Sequence, residues 1–170
     1  MIIDKPKKIN LQRYGGSWVI FLSFIFAFML AIMPLPVWAT AWRPDWVAII
    51  LLYWCITIPR RVGMATAGLA GIVLDVLKNT LLGQNMLGLC LIAFFSLKIH
   101  LRMRLFPPWQ QAMIVFWFIT LINLIDVWIQ SLLGYSTLEI NFIYPAITSF
   151  FLWPWLSIIL REIQSTYKIE

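Results

Sequence analysis

Apolar residues run along this chain in blocks too long for the interior of a small soluble domain, and short polar breaks separate them. The first block is Ser17–Trp38; others are Trp46–Ile58, a run from Val62, a run from Asn85, Trp109–Leu133 and Phe142–Leu160. A helix rises about 1.5 Å per residue, so about 20 apolar residues cross a hydrocarbon core of about 30 Å. With their flanks, the blocks predict six membrane-spanning helices at residues 17–38, 42–59, 62–82, 85–101, 109–133 and 142–160. Prolines punctuate the pattern. Pro59 ends the second block, Pro107-Pro108 divides the fourth from the fifth, and Pro145 opens the sixth, where a first helical turn tolerates it. The expected architecture is one all-α transmembrane domain, a six-helix bundle over residues 1–170, with loops too short to fold separately.

Ala39-Thr40-Ala41 has the small-x-small form of a signal-peptide cleavage site. The preceding block is too long for a signal peptide's apolar region, and prolines and tryptophans crowd its end, so it reads as a span. Composition agrees with the pattern: 62% of the residues are hydrophobic and 12% charged, with a mean hydropathy of +0.86. That leaves too few polar residues to cover a soluble domain.

Charge then assigns the sides. The net charge of +6, from 13 Lys and Arg against 7 Asp and Glu, would point to nucleic acid in a soluble protein. Here no basic stripe with interleaved aromatics lies outside the apolar blocks, so no nucleic acid partner is expected. With six spans and both termini inside, the inner segments hold Lys5, Lys7, Lys8, Arg13, Arg60, Arg61, Lys98, Arg102, Arg104, Arg161 and Lys168, and only Arg43 and Lys78 fall outside. Cytoplasmic loops of membrane proteins carry such an excess, which also suits anionic lipid. A four-span alternative, with the second and third blocks re-entrant, strands Arg60 and Arg61 on the outer side. Trp18, Trp38, Trp42, Trp46 and Trp109 stand near span ends, as interfacial anchors do.

Candidate chemistry is sparse. Cys55 and Cys90 lie inside apolar blocks with no C-x-x-C, and His100 stands among Lys98, Arg102 and Arg104, where it reads as an interfacial residue. No G-x-S-x-G, H-E-x-x-H, P-loop or G-x-G-x-x-G is present. No catalytic residue, metal or cofactor is therefore expected. What stands out is polar residues at span depth. Gly68, Gly71 and Asp75 share a helical stripe that Lys78 and Asn79 continue, and Gly83 follows in the next turn. Glycines on one stripe let a neighbouring helix approach closely, so Asp75 should face protein, paired, protonated or near water. Lys78, one turn on, is the nearest candidate partner. Asn123, Asp126 and Gln130 form a second stripe at similar outer depth. Together the two stripes fit a packed hydrogen-bond network, a partner surface, or a solute or proton site. Trp153-Pro154-Trp155 puts a helix-bending proline inside the last span, shaping the bundle or offering an aromatic ledge to lipid or a partner helix.

Three stretches, in order, resemble the MreD family of bacterial rod shape-determining membrane proteins. They are Gly71-Ile-Val-Leu-Asp75-Val-Leu with Leu82-Gly83-Gln84-Asn85 and Leu87-Gly88-Leu89; Leu105-Phe106-Pro107-Pro108-Trp109-Gln110-Gln111-Ala112; and Leu152-Trp153-Pro154-Trp155 with Arg161. Thr80 stands where many members have a proline before the Leu-Gly pair, and Gly88 replaces a common alanine. The resemblance, over about Trp42 to Arg161, implies a non-catalytic protein of the inner membrane and the cell-elongation machinery. It implies MreC as main partner, with MreB, RodA and the penicillin-binding transpeptidase that accompanies RodA. It also implies a bundle similar to the substrate-binding (S) subunits of energy-coupling-factor transporters, which keeps a solute- or lipid-precursor-binding subunit as the alternative.

Overall fold

The computed structural model describes residues 17–134 and 143–166, apart from the side chains of residues 37 and 38. Lys5, Lys7, Lys8, Arg13 and Lys168, the Phe142 start of the sixth predicted span and the Trp38 anchor lie outside what is described. The described residues are helical: α1 (Ser17–Ile32), α2 (Val37–Thr40), α3 (Trp46–Thr57), α4 (Met64–Lys78), α5 (Gln84–Met103), α6 (Pro108–Leu132) and α7 (Tyr144–Thr166).

Proline sets several boundaries. The residue before a proline is driven from helical angles, so α1 stops at Ile32, ahead of Met33-Pro34, and the predicted 17–38 run breaks into α1 and the single turn α2. Pro44 and Pro59 likewise bracket α3, at about 18 Å the shortest of the major helices. α6 begins with Pro108 in its first turn, where the missing N–H is no loss.

The short helix is the centre of the molecule. Every residue from Val47 to Ile56 is buried, as expected of a helix apolar on all sides. α3 packs against α1, α5, α6 and α7, while α4 joins α1 to α5, α5 abuts α6, and α6 runs beside α7. Trp54, fully buried on α3, donates its indole N–H to Ser23 Oγ at 2.8 Å. The other helices bury narrow stripes. On α6 these are Ala112, Val115, Ile119 and Ile122, and on α4 Ala67, Gly68, Ala70, Gly71, Leu74 and Asp75. Their outer faces stay apolar, with Phe21 and Phe26 on α1, Leu69 and Val76 on α4, Trp117 and Trp128 on α6, and Trp155 on α7 all exposed. An apolar surface of this extent needs an apolar surrounding. α5, α6 and α7 are long and apolar enough to cross a membrane, and α1 and α3 are apolar but shorter.

The bundle has two unlike ends. At one, Arg43 donates to the carbonyls of Leu30 (3.5 Å) and Met33, closing the last turn of α1. Trp42 stacks on Tyr144 there, with ring centroids 4.7 Å apart. At the other, Arg104 does the same for α3, through Nε to Ile56 O at 2.9 Å and Nη2 to Thr57 O. There, too, Gln111 donates to Met103 O at 2.9 Å and Phe106 O at 3.1 Å, and accepts from Trp153 Nε1 at 3.3 Å.

Candidate functional site

The first end gathers most of the polar stripe residues, and it is built from the turn between α4 and α5. α4 ends because Asn79 takes the left-handed conformation at φ 51°, and α5 begins after Gly83 at φ 102°. Asparagine and glycine are the residues that adopt such angles at least cost. The Gln84 N–H turns back to Leu81 O at 3.0 Å, but the reversal leaves the Gly83 and Asn85 N–H groups to find an acceptor, and Gly83, as N-cap, has no side chain to supply one.

Asp75 supplies it from the preceding helix. Its Oδ2 accepts the Gly83 N–H at 2.8 Å. Its Oδ1 accepts the Asn85 N–H and the Asn85 side-chain N–H, each at 2.8 Å, and the Thr80 hydroxyl at 3.1 Å. The Asn85 carboxamide also donates to Thr80 Oγ1 at 3.0 Å, and the Thr80 N–H returns to Asp75 O at 3.0 Å. The carboxylate is 1% exposed. A buried charge is tolerable only when donors replace its water, and here each oxygen has a donor. Its position at the N-terminus of α5 adds a favourable interaction with that helix's dipole. Lys78, the partner that sequence spacing nominates, is exposed; the carboxylate is instead held by Thr80, Gly83 and Asn85.

The glycine stripe brings α4 this close to α5. A Cβ on Gly71 would stand 2.2 Å from Met86 Cα and 2.7 Å from Met86 N, so that position admits no side chain without moving backbone. Gly68 is different: a Cβ there would meet Cys90 Sγ and Met86 Cε at 3.6 Å, an ordinary contact. Gly88, on the far side of α5, faces Ile122 of α6, with a would-be Cβ 3.0 Å from Cγ2.

Asp126 extends the buried α6 stripe by one turn and bonds the Gln84 side chain, while Asn123 bonds Asp45. Asp126, Asp45, Arg43, Lys78 and Asn85 line one cleft with about 30 Å³ of accessible space. That is room for a few water molecules and far below the several hundred Å³ of a small-molecule pocket. The acid facing Asp126 across the cleft is Asp45, since Asp75 is consumed by the turn. Gln130 lies beyond the lining residues. Trp153, Pro154 and Trp155 sit elsewhere, within α7. Trp153 is 1% exposed and bonded to Gln111, whereas Trp155 is 74% exposed, so the two rings share no ledge.

Residue spacing alone did not single out Asp45, Arg43, Gln84, Arg104 or Gln111. A signal exists for the first two: Arg43-Pro44-Asp45 places opposite charges in a three-residue break between apolar blocks. Among the described residues, no three His, Cys, Asp or Glu are placed to hold a metal ion.

Among the described residues, long apolar helices, an apolar flank and a buried carboxylate spent on a turn mark a helical protein of membrane character, with one polar end held together by hydrogen bonds within the chain. The family model for the rod shape-determining protein MreD matches residues 12–163. The rod shape-determining protein MreD of Haemophilus influenzae is 30% identical over 159 residues, covering 93% of this chain and 98% of that protein. The chain belongs to the MreD family. No solved structure matches it.

Proposed function

We propose that this protein is a non-catalytic scaffold of the machinery that keeps bacterial cells rod-shaped. In this reading the bundle crosses the inner membrane six times with both termini in the cytoplasm. It resembles the S subunits of energy-coupling-factor transporters in architecture. It binds MreC as its main partner, and through it helps couple RodA and its penicillin-binding transpeptidase, on the wall side, to MreB filaments inside. Family membership carries the reading.

The site supports it in a specific way. The most deeply buried acid is saturated by hydrogen bonds within the chain, so it serves the fold and not a reaction. The small volume of the adjoining cleft favours the scaffold over the solute-subunit reading. The test is co-purification of the tagged full chain with MreC from membranes. Capture of MreC at near-equal amounts is expected; recovery of this chain without MreC under mild solubilisation overturns the proposed partnership.

A further inference from the structure

The cleft beside the Asp75 turn carries charges of both signs that the protein itself leaves open. Asp45 Oδ2 and Asp126 Oδ1 are buried acceptors with no donor, and Arg43 Nε is a buried donor with no acceptor. All three residues line the same cleft, and Lys78, exposed, contributes a second cation at its rim. Buried polar atoms normally have partners, so three orphans around one small cleft mark a place where something else completes the bonding.

The missing partner needs N–H donors for two carboxylate oxygens and anionic oxygen for an arginine and a lysine. Its cationic part must be compact, since the cleft is small. A trimethylammonium has no N–H to give. A primary ammonium fits, with a phosphate a few bonds away reaching Arg43 and Lys78. We propose that this cleft binds the phosphoethanolamine headgroup of a membrane lipid, its ammonium between Asp45 and Asp126 and its phosphate against Arg43 and Lys78. A lipid is favoured over a partner's lysine because a lysine satisfies only the carboxylates and leaves Arg43 Nε unmatched. The apolar outer faces of the helices also place this end of the bundle among lipids. The proposal stands apart from the scaffold role and does not depend on MreC.

The test compares lipids that differ at the nitrogen alone. The full chain is extracted from vesicles containing equal amounts of phosphatidylethanolamine and phosphatidylcholine over a fixed fraction of phosphatidylglycerol, and retained lipid is identified by native mass spectrometry. Phosphatidylethanolamine should be retained about tenfold over phosphatidylcholine, a gap of about 1.4 kcal/mol. The Asp45→Asn, Asp126→Asn double variant should lose that preference. Should the double variant fail to accumulate, Lys78→Met, a change at an exposed position, should still reduce retention several-fold. Equal retention of the two lipids by the wild-type chain, a preference that survives in the double variant, unchanged retention in Lys78→Met, or preferential retention of phosphatidylglycerol overturns the proposal.

Discussion

Asp75 illustrates what a single residue can and cannot reveal. Its presence at span depth, on a glycine stripe, marks it from sequence as facing protein. Its true partners are two backbone N–H groups and two side chains from the turn that follows, and spacing rules that look one helical turn ahead select Lys78 instead. The expected outcome of Asp75→Asn is a loss of about 1–3 kcal/mol, because the carboxamide nitrogen must face an N–H or hydroxyl donor. Chemical unfolding of the purified protein in detergent measures it; an unchanged midpoint would show that the turn does not need the charge. Gly68 and Gly71 are indistinguishable in sequence and differ sharply in space. Gly71→Ala forces α4 from α5 and should cost about 1–3 kcal/mol by overpacking. Gly68→Ala meets only ordinary contacts and should leave stability within about 0.5 kcal/mol. Equal effects of the two alanines would contradict the close approach at Met86.

At the scale of elements, hydropathy locates helices in a membrane protein but blurs two other things. It does not separate the core face from the lipid face, because both are apolar; on α4 and α6 small residues and Asp75 or Asp126 mark the inward stripe. Nor does it reveal that the helical part of the second block is only α3, about 18 Å long, since its flanks Trp42–Asp45 read as part of the run. The tertiary arrangement supplies the rest: α3 is wrapped by its neighbours, and its C-terminal carbonyls are closed by Arg104, which is distant in sequence and reads only as a topological charge. The first turn of α6 and the Trp-Pro-Trp segment of α7, from separate stretches of the family pattern, meet through Gln111 and Trp153. A double-mutant cycle with Gln111→Met and Trp153→Phe should return a coupling of about 0.5–1.5 kcal/mol. Additive effects would mean that the bond contributes nothing to holding α7 on the α5–α6 loop.

For the whole molecule, the described charges, Glu162 apart, separate by end. Arg60, Arg61, Lys98, Arg102, Arg104 and Arg161 lie toward the end where Arg104 closes α3, and Asp45, Asp75 and Asp126 lie toward the other with Arg43 and Lys78. In the proposed orientation, which follows the positive-inside rule, the Asp75 turn is outside. In a background lacking Cys55 and Cys90, a cysteine at the exposed Leu82 should react with an impermeant maleimide in intact cells, and one at Leu105 only after permeabilisation. The reverse labelling would invert the proposed orientation. The role in cell shape is legible only through the family, since helix patterns and hydrogen bonds describe a stable bundle without naming what it organises. The most direct measurement is cell shape on depletion of this protein, with its partners still expressed. Rods should round into spheres and recover when the wild-type chain is restored; growth as unchanged rods after depletion would contradict the scaffold role.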